Sequence, residues 1–196
     1  MKLQFKEQQF QVNAVNAVVN CFSGQLRETT RFTLERSADL IRKTKLAASG
    51  IIEVDFEVNE NIGYRNRPLS ITQSQILQNI QHVQRTNDII ECKNIERPPK
   101  DKESLHFTIE METGTGKTYT YIRTMYELHK EYGWSKFIII VPSIAIREGV
   151  YKSFEVTQLH FQERYGHKIS PFIYNSAHKK KIESFASDNR ISVMII

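Results

Sequence analysis

An α/β fold, with a parallel sheet flanked by helices, is the architecture that these 196 residues predict. Three observations predict it. Phe137-Ile138-Ile139-Ile140-Val141 has the near-continuous hydrophobicity of a strand buried on both faces. From Leu105 onward, strand-like and helix-like segments alternate, the rhythm of right-handed βαβ crossovers. Between the first such strand and helix lies a glycine-containing loop, Met111-Glu112-Thr113-Gly114-Thr115-Gly116-Lys117-Thr118.

The elements follow in chain order. Phe10, Ala14, Ala17, Val18 and Cys21 recur at helical spacing, which predicts an amino-terminal helix from Glu7 to Phe22, stopped by Ser23-Gly24. Ile52, Val54, Phe56 and Val58 alternate with polar residues, predicting a half-exposed strand that turns near Asn61-Ile62-Gly63. Ser70 and Gln73 have capping-box spacing ahead of a helix with Ile76, Leu77, Ile80 and Val83 on one face. Arg97-Pro98-Pro99-Lys100 is a stiff polar linker.

After the linker the pattern predicts a strand at Leu105–Met111, a helix from Gly116 to Tyr132 and a strand at Lys136–Val141 ended by Pro142. Two helices are expected next, Ile144–Phe154 and Val156–Tyr165, then a strand at Pro171–Tyr174, a basic helix and a strand at Ile191–Ile196. The expected organisation is an amino-terminal helix in 1–25, a small α+β insertion with its linker in 26–104, and an α/β unit in 105–196. An interior strand at the very end would bury a terminal carboxylate, so the sequence is expected to be the front piece of a longer protein.

Composition narrows the classes. Hydrophobic residues make up 40% and charged ones 25%, enough for an ordinary core. The polar start is too hydrophilic for a signal-peptide core and no apolar run is long enough for a transmembrane helix, so a cytoplasmic location is expected. Cys21 and Cys92 form no C-x-x-C pair and read as reduced thiols. A net charge of +5 permits a polyanionic partner without requiring one. The cluster His178-Lys179-Lys180-Lys181 fits a solvated helix face better than a phosphate-tracking patch.

The loop ends as a phosphate-binding loop does, in Gly116-Lys117-Thr118, but Met111 stands where the pattern G-x-x-x-x-G-K-[ST] begins with glycine. Gly114 and Gly116 remove side-chain bulk where backbone N–H groups and a helix start would face a polyphosphate. Lys117 would reach the β- and γ-phosphates, and the Thr118 hydroxyl would ligate magnesium. Thr113 would lie over the γ-phosphate side, and Thr115 belongs to the same nucleotide-binding stretch. The competing reading is a Gly-rich turn that merely starts a helix.

With these residues in view, "METGTGKT" resembles motif I of superfamily 2 helicases and translocases, whose first position varies. "IIIVPSIAIREGVYKSF", Ile138 to Phe154, is similar to the segment that follows this motif in the restriction subunit of type III restriction-modification enzymes. "FKEQQFQVNAVNAVVNCFSGQ", Phe5 to Gln25, resembles that family's amino-terminal helix. The resemblance implies a P-loop NTPase with a partial RecA-like motor domain, ATP and Mg2+ as cofactors, and double-stranded DNA and a DNA methyltransferase (modification) subunit as partners. It implies that Phe10-Gln11 is the aromatic-Gln pair that reads adenine. A side-chain amide both donates and accepts, which suits that edge. Phe5 is a further candidate for stacking on the base. Lys117 and Thr118 are the implied catalytic residues.

Pro142, Ser143 and Arg147 fall where the family makes its first DNA-backbone contacts, although Ser143 also suits a helix cap. The acidic motif that orients the attacking water and the family's nuclease residues do not occur in these 196 residues. The stretch alone is therefore expected to bind nucleotide without efficient hydrolysis. The alternatives are another superfamily 2 motor, such as a type I restriction motor or a repair helicase, and a non-catalytic remnant that binds nucleotide or DNA.

Overall fold

The computed structural model describes residues 5–33, 62–98, 100, 104–177 and 179–196. Helix α1 spans Gln9–Asn20, and its buried Val15 and Val19 lie one turn apart. An antiparallel pair follows, β1 (Thr29–Thr33) with β2 (Ile62–Asn66). Ile62 and Gly63, expected at a turn, are thus strand residues, while the expected strand at 52–58 lies outside the described residues.

Helix α2 covers Gln73–Thr86, and its capping box is Thr72 with Gln75. Thr72 Oγ1 accepts from Gln75 N at 3.2 Å, and Gln75 Oε1 accepts from Thr72 N at 2.8 Å. The predicted box of Ser70 and Gln73 does not form, because Ser70 is engaged elsewhere. Its N–H and hydroxyl both donate to Gln25 Oε1, at 2.7 and 3.2 Å. A cap goes to the hydroxyl whose neighbour leaves it free.

Helix α3 (Lys117–Tyr132) leads into β3 (Lys136–Ile139), then α4 (Ile144–Tyr165), β4 (Ser170–Ile173), α5 (Lys179–Ser187) and β5 (Ser192–Ile195). The sheet is parallel with order β3-β5-β4, so the last strand in sequence is the central one. One face of the central strand, carrying Ile191, Val193 and Ile195, is fully buried, and on the other face Ser192 is buried and Met194 half-buried. Pro171 sits in an edge strand, where a missing N–H is tolerated.

Three expectations change here. The two helices predicted between Ile144 and Tyr165 are one of 22 residues, since nothing at Phe154-Glu155-Val156 breaks the ladder. Strand β3 is not buried on both faces: Ile138 is 54% exposed and Ile140 beyond it 78%. Leu105–Met111 is no strand at all; residues 104–112 pair with no strand among the described residues, and Phe107 and Ile109 are exposed.

The core lies between the sheet and α3 and α4. Ile122, Phe161, Val193 and Ile195 are its most buried members, joined by Tyr126, Phe154 and Ile169. A ring series runs through it, with Tyr126 at 5.0 Å from Phe161 and stacked at 4.8 Å on Tyr165. A second cluster, Val15, Val19, Leu128 and Tyr132, fixes α1 on α3, and the Tyr132 hydroxyl donates to the Val19 carbonyl at 2.8 Å.

The β1–β2 pair is tied to the sheet by the Asn66 side chain. Asn66 Oδ1 accepts from Ser135 N and Lys136 N at 2.8 and 2.9 Å, and its Nδ2 donates to the Lys136 carbonyl at 2.6 Å. Its amide imitates a peptide group at the start of β3.

Candidate functional site

Helix α3 begins directly after the loop and its carboxyl end turns straight into β3, so its amino end lies toward the carboxyl end of the sheet. Helix α4 starts from that same end, just beyond β3. Open α/β sheets bind ligands there.

Within the loop, Thr115 turns back on Glu112, whose carbonyl accepts from the Thr115 hydroxyl at 2.6 Å. Gly114 and Gly116 hold φ of +83° and +86°, a region L side chains rarely adopt. Gly116 is the N-cap of α3, and a Cβ on it would stand 2.5 Å from Gln11 Nε2. Around Gly114 nothing lies within 4 Å of the corresponding position, so the loop is open to solvent there. The N–H groups of the first α3 turn have no intrahelical acceptor, and the first bond back is from Thr120 N to the Gly116 carbonyl at 3.0 Å. Lys117 and Thr113 are exposed, and Thr118 is half-buried.

Gln11 is buried to 9% exposure and donates through Nε2 to the Thr115 carbonyl at 2.8 Å. The fold thus joins residues 104 positions apart in the chain. Phe10, its neighbour, is 48% exposed. Phe5 packs within the protein, stacked on Tyr119 at 5.8 Å and tilted against His160 at 4.9 Å. That contact already occupies one face of the Phe5 ring.

Pro142, Ser143 and Arg147 come together at the start of α4. Ser143 is its N-cap and accepts from Ile146 N at 3.3 Å. Arg147 pairs with Glu148 at 3.4 Å, and its Nε is buried without a hydrogen-bond partner.

A cavity of about 490 Å³ lies elsewhere, at the carboxyl ends of α3 and α4, lined among others by Arg27, Glu127, His129, Lys130 and His167. There His129 donates through Nδ1 to the Trp134 carbonyl at 3.0 Å, and burial holds its ring below the ordinary histidine range. None of the predicted site residues lines this cavity. Among the described residues no group of three or more His, Cys, Asp or Glu is placed to hold a metal, and none of their helices is long and apolar enough to cross a membrane. Both cysteines are free, and burial pushes the Cys21 thiol up to about 11, which makes it inert at neutral pH.

The loop, the open helix start and the Gln11 tether are the geometry against which relatives can be compared. A family model described as type III restriction enzyme, res subunit, matches residues 66–196. The chain belongs to this family. It is similar to the type III restriction-modification enzyme EcoPI Res subunit of Escherichia phage P1, 38% identical over 122 residues, 60% of this chain and 12% of that protein. The EcoP15I Res subunit of Escherichia coli is 35% identical over 124 residues, 61% of this chain and again 12% of the relative. The StyLTI Res subunit of Salmonella typhimurium is 45% identical over 65 residues, 32% of this chain and 7% of the relative. The chain therefore matches about an eighth or less of the length of these Res subunits.

Sequence reasoning missed a group beside the loop: Glu7, Arg123, His160 and Arg164. Arg123 is 3% exposed within α3, and its Nη1 lies 3.3 Å from Glu7 Oε2. Arg164 of α4 donates to the same carboxylate oxygen. The available signal was the i,i+4 spacing of Tyr119 with Arg123 and of His160 with Arg164, two facing helix stripes that periodicity alone reads as surface.

Proposed function

We propose that this chain is the ATP-binding portion of a type III restriction subunit, an ATP-driven motor on double-stranded DNA coupled to an endonuclease and acting with a modification methyltransferase. The observation that carries the reading is Gly116. It caps α3 in a left-handed conformation that favours glycine, beside a glutamine amide tied to the loop that a Cβ there would displace. An anion fits an exposed helix start with free N–H groups, and the residues present fit the phosphates of ATP with magnesium.

Lys117 and the amides of Thr113 to Thr118 would hold the phosphates, and the Thr118 hydroxyl would reach the magnesium that screens their charge. Gln11 would read the base with Phe10 alongside. Its Nε2 bond to Thr115 leaves the amide oxygen and a second N–H hydrogen for that purpose. Pro142, Ser143 and Arg147 would meet the DNA backbone at the start of α4. These 196 residues would hold nucleotide without turning it over efficiently, because the acidic motif that would orient the attacking water does not occur in them.

Support comes from the family match and from the three Res-subunit relatives. The test is Lys117→Ala with ATP and magnesium, read by calorimetry. A charged contact is worth about 1.5 to 3 kcal/mol, so affinity should fall by roughly tenfold or more. Equal affinity of variant and parent overturns the assignment.

A further inference from the structure

Residues 5–11 touch the loop and the helix that follows it at three successive places. Phe5 stacks on Tyr119, Glu7 pairs with Arg123, and Gln11 donates to the Thr115 carbonyl. Tyr119 and Arg123 are one turn apart on α3, directly after Lys117 and Thr118, so an extended entry segment lies along one helix face. Helix α4 closes the arrangement from the other side: His160 meets both the Phe5 ring and the Tyr119 hydroxyl, the latter at 2.9 Å, and Arg164 binds Glu7.

The electrostatics concentrate on Glu7. Arg123 is almost fully buried, and its Nε and Nη1 find no hydrogen-bond acceptor. Among the described residues, Glu7 is the one carboxylate within ion-pair distance of either Arg123 or Arg164. The Arg164 bond holds the Glu7 carboxyl below the usual carboxylate range, and burial followed by the two guanidiniums holds His160 below the ordinary histidine range. At neutral pH a single negative charge therefore joins two cations on two different helices to the segment that carries Gln11. A buried guanidinium that loses its counter-ion is strongly unfavourable, so the segment is held where the carboxylate is needed.

We propose that Glu7 is a positioning residue for nucleotide selection: its bridge to Arg123 and Arg164, with Phe5 packed on both Tyr119 and His160, fixes Gln11 at a set distance from the phosphate-binding loop, so that base and phosphates are recognised as one unit. The proposal rests on the nucleotide-site reading above. In this role Glu7 would act through Gln11 and touch neither base nor phosphate itself. Its effect should therefore appear only in the share of affinity contributed by the base.

The test compares ATP with inorganic tripolyphosphate, both with magnesium, on the full chain. The variants are Glu7→Gln, Phe5→Leu, Gln11→Ala and the Glu7→Gln/Gln11→Ala double variant, and thermal melting checks that each is folded. Expected for Glu7→Gln is about a tenfold loss in ATP affinity, the scale of one or two misplaced hydrogen bonds, with tripolyphosphate affinity unchanged. The double variant should lose no more than Gln11→Ala alone. Phe5→Leu removes the ring contact with Tyr119 and His160 without stranding a buried charge and should lower the ATP preference in the same direction, which keeps the test decisive if Glu7→Gln does not fold. Equal loss for both ligands, no loss for either, or additive losses in the double variant each overturn the positioning role while leaving the site intact. A parent protein that binds neither ligand overturns the nucleotide site, and the positioning role with it.

Discussion

Two stretches flank α3 in the chain and have their backbones satisfied in different ways. Strand β3 lies parallel to β5 in register from Lys136 with Ser192 to Ile139 with Ile195, and its start is clipped by the Asn66 amide. Residues 104–112 run on the opposite side of the helix in sequence with no ladder among the described residues, held in part by His106 N donating to the Glu96 carbonyl at 3.2 Å and Phe107 edge-on to Phe22 at 5.5 Å. Both stretches are rich in apolar residues. The difference shows that a strand is a relation between two segments, and among the described residues only β3 has a partner, the central strand whose Val193 and Ile195 are buried against the helices.

The comparison can be broken first at the covering layer. Phe161 is fully buried among Tyr119, Tyr126 and Tyr165, and Phe161→Ala should lose about 3 to 5 kcal/mol from cavity formation and lost transfer energy. Denaturant unfolding measures it, and a loss under about 1 kcal/mol would mean that this ring series does not support the sheet.

At the next level, Asn66→Ala removes three hydrogen bonds at the β3 start and leaves the N–H groups of Ser135 and Lys136 without that acceptor. A loss of about 1 to 3 kcal/mol is expected, together with faster amide exchange at those two residues. Unchanged exchange there would mean that β3 needs no clip.

The smallest effect belongs to the unpaired stretch. Ile109 is 48% exposed, so Ile109→Ala in this chain should change stability by no more than about 0.5 kcal/mol. Amides of 105–111 should exchange well before those of Phe137, Ile139, Val193 and Ile195. Protection of 105–111 equal to that of β5 would erase the contrast between the two stretches.

How legible these features were depends on how local they are. Helices announced themselves through period and punctuation: α3 ends at Tyr132 before Gly133, as its pattern indicates, and α1 is shorter than expected by two residues at each end. The split predicted within α4 arose because its apolar residues are spread around the helix, while backbone hydrogen bonding continues regardless. Ser70 was a plausible cap by spacing alone, and only the approach of Gln25, 45 positions away, redirects it. In the candidate site, the loop with Gly114, Gly116, Lys117 and Thr118 was visible because its residues are contiguous in the chain. The bond from Gln11 to Thr115 followed from no spacing, and the Glu7, Arg123 and Arg164 group was not visible at all.

By itself the sequence determined the α/β class, most helix boundaries to within about two residues, and the position of the glycine-containing loop ahead of α3, because each depends on neighbours within one or two turns of chain. The tertiary structure decided which apolar segments are strands, that the last strand stands at the centre of the sheet, and that a carboxylate at position 7 faces guanidiniums at 123 and 164. Backbone ladders and buried charges need partners far away in sequence, and only the packed fold brings those partners within hydrogen-bond reach.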